Sequence, residues 1–133
     1  MENKKRMEKD KTIWGYNAVV DPEKLDLKHY TALVKRSVKP FDEKMMDKIT
    51  TECLDDLLPG ENITVEDCLY VHGNYDWILT FTAPDTKQMK KFCEKLMIVF
   101  SGYITKFNVL ETMVPIRKQG FKHPMAKKLK EVL

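Results

Sequence analysis

The run Val71-His72-Gly73-Asn74-Tyr75-Asp76-Trp77-Ile78-Leu79 limits what this chain can fold into more than any other stretch. A Gly-Asn pair between alternating apolar runs is the signature of a two-residue hairpin connection, with Gly73 supplying the positive φ of a type II′ turn. Such a connection sets register, so that Tyr70 faces Trp77, Leu69 faces Ile78 and Cys68 faces Leu79. Val65, Asp67, Leu69 and Val71 then share one face with Asp76, Ile78, Thr80 and Thr82. Glu66, Cys68, Tyr70 and His72 share the other with Tyr75, Trp77, Leu79 and Phe81. Both faces carry apolar residues.

Outward from the hairpin, local patterns supply the remaining elements. Ile13 to Val20 is rich in aromatic and β-branched residues and ends at Asp21-Pro22, which predicts a strand and a turn. Leu25, Tyr30, Leu33, Val34 and Val38 recur at helical spacing until Pro40, which predicts a first helix. Asp42 can cap a second helical stretch bearing Met45, Met46, Ile49, Cys53, Leu54 and Leu57, stopped by Pro59-Gly60. That stretch, about 41–60, reads as a helical insertion in the first crossover. Asp85-Thr86-Lys87-Gln88 is a D-x-x-Q capping box, and Met89, Phe92, Cys93, Leu96 and Phe100 make the following helix amphipathic. Ser101-Gly102 ends that helix, Tyr103 to Ile116 reads as a last strand, and Pro124 opens a short C-terminal helix with Ala126, Leu129 and Val132. The order is that of an α+β, ferredoxin-like βαββαβ fold with a four-stranded antiparallel sheet.

A chain of 133 residues closes one core. The expected division is a flexible charged arm over 1–11, the fold over 12–118, and a tail over 119–133. A net charge of +3 is too small to demand nucleic acid or an anionic membrane as partner. Cys53, Cys68 and Cys93 have neither CxxC spacing nor an even count and read as reduced core residues. The charged N-terminus lacks an apolar h-region and no run is long enough to span a bilayer, so a cytoplasmic protein is expected. His29, His72 and His123 lack metal-ligand spacing, and GxSxG, Walker A, HExxH and GxGxxG sequences are absent. No catalytic residue, metal or cofactor is therefore expected.

Two helices cover only one face of a four-stranded sheet. Tyr70, Trp77, Leu79 and Phe81 would form an exposed patch too large for a monomer, so the expectation is a homodimer with sheet packed on sheet across a two-fold axis. The alternative is a C-terminal helix folded back over that face. Asp76 sits one residue past the turn at the rim of an apolar surface. Its carboxylate, beside the amides of Gly73 and Asn74, could hold the ammonium of a small zwitterion. It could equally accept hydrogen bonds from its own turn.

The run Tyr16-Asn17-Ala18-Val19-Val20-Asp21-Pro22, the G-x-Y-D of Gly73 to Asp76 followed by Ile78-Leu79, the Asp85 cap and the helix ending at Gly102 together resemble one known module. It is the effector domain, called RAM, of the leucine-responsive regulatory protein (Lrp/AsnC) family, matched over roughly residues 13–118. The resemblance implies a ferredoxin-like fold, dimers made by face-to-face sheets as in dimeric α+β barrels, possible higher assembly, and binding of amino acids or related molecules near the G-x-Y-D turn. Carried over by position, it puts Gly73, Tyr75 and Asp76 at the effector pocket, with Asn74 in the variable place. Family regulators carry an N-terminal helix-turn-helix, whereas only about a dozen charged residues precede the first expected strand here. A stand-alone effector domain is thus expected, without operator binding of the usual kind, and able to co-assemble with a full-length regulator.

The leading expectation is a non-enzymatic, ligand-responsive regulatory or oligomerisation domain. One alternative is a dimeric α+β barrel enzyme acting on a small apolar or aromatic substrate, for which only Asn17 is placed to serve. Another is a nucleic-acid-binding accessory protein, resting on the basic tail from Arg117 to Lys130.

Overall fold

In the computed structural model, which describes residues 2–50 and 62–133, the chain divides into two compact units. One is Asp21–Val114; the other joins Met1–Val20 to Pro115–Leu133. The larger unit is organised around strand β1 (Lys28–Arg36), in which Tyr30, Ala32 and Val34 are buried and the alternate residues His29, Thr31 and Leu33 are half-buried. A 3-10 turn at Pro22–Leu25, capped by the Asp21 carboxylate on the Glu23 amide, feeds the chain into it. Helix α2 (Glu43–Thr50) follows β1, and the Asp42 carboxylate accepts from the Met45 amide at 2.7 Å, satisfying one of the free donors of its first turn. Strands β2 (Thr64–Tyr70) and β3 (Trp77–Ala83) form the hairpin. Helix α3 (Thr86–Val99) starts at Asp85, whose carboxylate accepts from the Gln88 amide at 2.8 Å, and strand β4 (Ile104–Glu111) closes the unit.

The four strands lie in the order β2-β3-β1-β4 and every pairing is antiparallel. This is the ferredoxin-like arrangement, with β1 and β3 central. Tyr30, Ala32 and Val34 of β1 and Trp77, Leu79, Phe81 and Ala83 of β3 point to one face, where Phe92, Cys93, Leu96 and Phe100 of the α3 segment complete the core. Ring contacts knit it together: Phe81 lies 4.7 Å from Phe92, and Trp77 lies 5.4 Å from Phe100 and 5.6 Å from Phe41, centroid to centroid. The smaller unit holds α1 (Glu2–Lys9), a two-stranded hairpin of β5 (Arg117–Lys118) and β6 (Phe121–Lys122), and α4 (Ala126–Val132).

Several local expectations change while the topology holds. Ile13–Val20 carries no regular secondary structure, and the first strand is instead Lys28–Arg36, inside the span expected as a helix. The residues 30, 33 and 34 fit a helical stripe, but 30, 32 and 34 fit a strand equally well, and only the second pattern matches two flanking strands and a helix-covered face. The stretch expected as an insertion therefore supplies, through α2, the crossover helix itself; the rest of it, residues 51–61 with Cys53, lies outside the described residues. Glu2–Lys9, within the expected flexible arm, is helical. Cys93 is buried as expected, whereas Cys68, on the edge strand β2, is exposed.

Tyr30 is 1% exposed and its hydroxyl finds no hydrogen-bond partner among the described residues. Removing that oxygen deletes an unpaid desolvation cost, so Tyr30→Phe should be neutral or stabilising by up to about 1 kcal/mol in urea unfolding, whereas Phe81→Ala should cost ~3–5 kcal/mol. Burial, with Glu94 beside it, pushes the Cys93 thiol up to about 11. The folded state thus holds that proton more tightly than the unfolded chain. Its contribution to stability is complete below the unfolded thiol value and is lost as pH climbs from there towards about 11. Iodoacetamide at neutral pH should leave Cys93 unmodified until the chain is unfolded, as read by mass spectrometry.

Candidate functional site

The pairing of β1 with β3 ends at Val34 and Trp77, and the chain connecting β2 to β3 loops through Val71–Asp76. The expected register is kept: Tyr70 pairs with Trp77, Leu69 with Ile78, Cys68 with Leu79 and Asp67 with Thr80. The tight turn is not. Bends occupy His72–Asn74, Gly73 takes φ 155°, and the loop is closed by the Val71 amide donating to the Asp76 carbonyl at 2.7 Å. Nothing lies within 4 Å of where a Gly73 side chain would begin, so glycine is needed for its backbone conformation and not for a close approach.

Asp76 is the anchor of this loop. Its amide donates to the Val34 carbonyl and its carboxylate accepts from the Arg36 amide, both at 2.9 Å. Val34 and Arg36 present their backbone groups to the same edge of β1. Because β3 begins only at Trp77, the Arg36 N–H has no strand carbonyl to meet, and the carboxylate substitutes for it with a charge-assisted bond. The acceptor role considered for Asp76 is therefore real, but its donor comes from the neighbouring strand and not from its own turn. The Arg36 guanidinium turns the other way: it lies 3.8 Å from the Phe41 ring and donates to the Tyr70 hydroxyl at 2.8 Å.

The open face of the sheet at this end is cationic. Lys35 and Lys106 are direct cross-strand partners in the β1–β4 ladder. Like charges so placed repel. Each ammonium turns aside: Lys35 Nζ donates to the Asn74 carbonyl at 3.2 Å, and Lys106 Nζ stands 5.8 Å from the centre of the Tyr75 ring. The Tyr75 hydroxyl in turn accepts from the Asn108 side-chain amide at 2.7 Å, and Asn108 pairs with Leu33 on the open face. Tyr75, expected on the Trp77 side, reaches this side instead. The loop residues Asn74, Tyr75 and Asp76 thus meet Lys35, Lys106 and Asn108 at one corner, where two ammonium groups, an amide and a phenol could receive a carboxylate-bearing molecule. Gly73 sits on the exposed rim of the same loop. Lys35, Lys106 and Asn108 are missed by sequence reading because their meeting depends on β1 being a strand.

The expected dimer patch is corrected by burial. Trp77, Leu79 and Phe81 are 6%, 3% and 0% exposed and belong to the core of a single chain; Tyr70 remains exposed at the edge, against Trp77. The helices chose this face because its aromatic stripe continues through Tyr30 of β1, giving α3 a contiguous apolar surface to cover. A bulge between Val65 and Asp67 shifts register there, moving Val65 to the covered side. What stays open carries Leu33, Leu69, Ile78 and Leu110 among Thr31, Thr80 and Asn108, with Leu69 and Leu110 half or more exposed. At its far end His29 bonds Thr112 through Nδ1 at 2.7 Å and meets Glu66 at 3.4 Å.

No group of His, Cys, Asp and Glu able to hold a metal exists among the described residues, and no described helix is long and apolar enough to cross a membrane. Asn17, the single candidate for the barrel-enzyme alternative, is exposed on a segment without regular structure. The apolar pocket beneath the sheet, bounded by Val34, Trp77, Leu79, Leu96 and Phe100, offers about 30 Å³, well below the roughly 300 Å³ or more of a small-molecule site.

Several solved structures share this fold. An AsnC family transcriptional regulator from Agrobacterium tumefaciens gives a TM-score of 0.62 at 21% identity, over 99% of this chain and 77% of that one. A transcriptional regulator from Neisseria meningitidis in complex with L-methionine gives 0.61 at 18%, over 99% and 77%. The feast or famine regulatory protein from M. tuberculosis complexed with L-methionine gives 0.58 at 16%, over 88% and 71%. No family model and no curated protein matches the sequence. At these identities the likeness establishes the fold.

Asp76→Ala should orphan the half-buried Arg36 amide and cost ~1–3 kcal/mol in urea unfolding, while Asp76→Asn, which keeps an acceptor oxygen, should recover more than half of that loss. Equal stability of Asp76→Ala and the native chain would remove the anchor assignment.

Proposed function

We propose that this chain is a non-enzymatic regulatory module that binds an amino-acid-type molecule at the hairpin-loop corner and associates through its open sheet face. In this reading it serves transcription regulation by co-assembly, with itself or with a full-length regulator of the same fold. The observation that carries the proposal is the corner itself: the cross-strand pair Lys35 and Lys106, beside Asn74, Tyr75 and Asn108, has no carboxylate in an ion pair with it among the described residues. A carboxylate settled between the two ammonium groups would relieve their repulsion. The Asp76 carboxylate and the carbonyls of the loop would then lie on the side of the ligand's ammonium group. That two of the fold neighbours were solved with L-methionine supports the class of ligand.

The open face supports association. Leu33, Leu69, Ile78 and Leu110 form an apolar strip that a second sheet would cover, with the face-to-face geometry of sheet packing.

A thermal-shift screen with the twenty amino acids tests the ligand reading. A binder at about a hundredfold excess over Kd adds ~2.7 kcal/mol, which raises Tm by several degrees. Lys106→Ala, which leaves the Asp76 anchor intact, should abolish most of that rise. If no amino acid moves the native Tm, or if Lys106→Ala responds as the native chain does, the corner is not the site. Sedimentation at micromolar concentration tests association: the native chain should run as a dimer, and Leu69→Lys with Leu110→Lys as a monomer of unchanged circular dichroism. A native monomer would refute the interface.

A further inference from the structure

Charge is divided very unevenly between the two units. The segments Met1–Val20 and Pro115–Leu133 hold eleven of the 23 Lys and Arg but only four of the 20 Asp and Glu, a net charge of +7. The remaining twelve basic and sixteen acidic residues leave Asp21–Val114 at −4. The modest +3 of the whole chain conceals this segregation. We infer that the smaller unit is a binding surface for single-stranded nucleic acid, a role independent of the ligand corner in the other unit.

Two further features point to that partner. The cations are available: Lys5, Arg6 and Lys9 on α1, Lys122 on the β5–β6 hairpin and Lys127 on α4 are exposed and stand in no ion pair among the described residues. Among them are aromatic rings that the fold leaves uncovered. Trp14 is 93% exposed, Phe121 67% and Tyr16 64%. Phe121 is followed by Lys122 on β6, and Lys4 stands 4.6 Å from the Tyr16 ring centre, so exposed rings and cations occur together in this unit. An acidic protein would need the charges alone. Exposed rings together with exposed ammonium groups match a strand of unpaired bases on a phosphate backbone, in which bases stack while phosphates are neutralised. Part of the unit's acidic charge is already engaged locally: Glu8 accepts from the Tyr16 hydroxyl, and Asp10 accepts from both the amide and the hydroxyl of Thr12 at 3.1 and 2.7 Å.

The test is fluorescence anisotropy of a labelled dT oligonucleotide of about twenty residues, titrated with the full chain at about 50 mM and about 200 mM salt. Binding at the lower salt should weaken at least ~10-fold at the higher, as several phosphate contacts require. Lys122→Glu with Lys127→Glu should weaken it ~10-fold or more. The control reversal Lys90→Glu with Lys91→Glu, on α3 of the other unit, should leave it within about twofold. Trp14→Ala should cost at least ~5-fold on the single strand by loss of stacking and less on a duplex of the same length. Any of four results would overturn the inference: no binding at the lower salt, equal losses for the two charge reversals, duplex bound as tightly as single strand with Trp14→Ala silent, or competition by polyglutamate as effective as by unlabelled dT. The last would assign the surface to an acidic protein.

Discussion

Asp76 ties the hairpin loop to the middle of the sheet, and much of the larger unit's geometry follows from that tie. Its amide continues the contact of β3 with β1 one step past the end of the ladder, and its carboxylate takes the next donor, the Arg36 N–H. At that residue the pairing of β1 with β4 also shifts, between Lys35 and Arg36. One side chain therefore steadies the end of the central strand where both flanking ladders become irregular. With that end held, Lys35 is turned to the open face and Arg36 to the aromatic cluster of Phe41, Tyr70 and Trp77. The polar corner and the aromatic end of the core are two sides of one junction.

The sheet's two faces divide by the continuity of their apolar surface, not by its amount. Trp77, Leu79 and Phe81 align with Tyr30, Ala32 and Val34 across the central strands, giving α3 a stripe of interlocking rings to cover. The face left open is apolar too, but Leu33, Leu69, Ile78 and Leu110 are interspersed with threonines and bounded at both ends by polar groups: Lys35 and Lys106 at one, His29 and Glu66 at the other. A surface of that kind excludes water poorly by itself and well when a matching sheet lies on it.

Particular residues show why some features were legible in the chain and others were not. The caps Asp42 and Asp85 act over three residues, so their sequence context was enough to locate α2 and α3. The register from Asp67 to Tyr70 was legible for the same reason, since a short loop leaves few ways to pair its flanks. Lys28–Arg36 is ambiguous in the chain because Tyr30, Leu33 and Val34 satisfy both periods over so few residues, and the deciding contacts lie on β3 and β4, far along the chain. Ile13–Val20 has strand-forming side chains but forms no ladder, since β propensity is realised only where a partner strand is present.

Local chemistry written in the chain thus determined the hairpin, the helix starts, the alternation of faces and the ferredoxin-like order of elements. Tertiary structure alone decided which face is core, which segment is the central strand, and what surrounds Asp76. Those outcomes depend on pairings between distant strands, and a period of two or of 3.6 residues says which side chains share a face without saying what that face will meet. The corner of Lys35, Lys106, Tyr75 and Asn108 exists only because two strands and a loop meet there, and no spacing along the chain records that meeting.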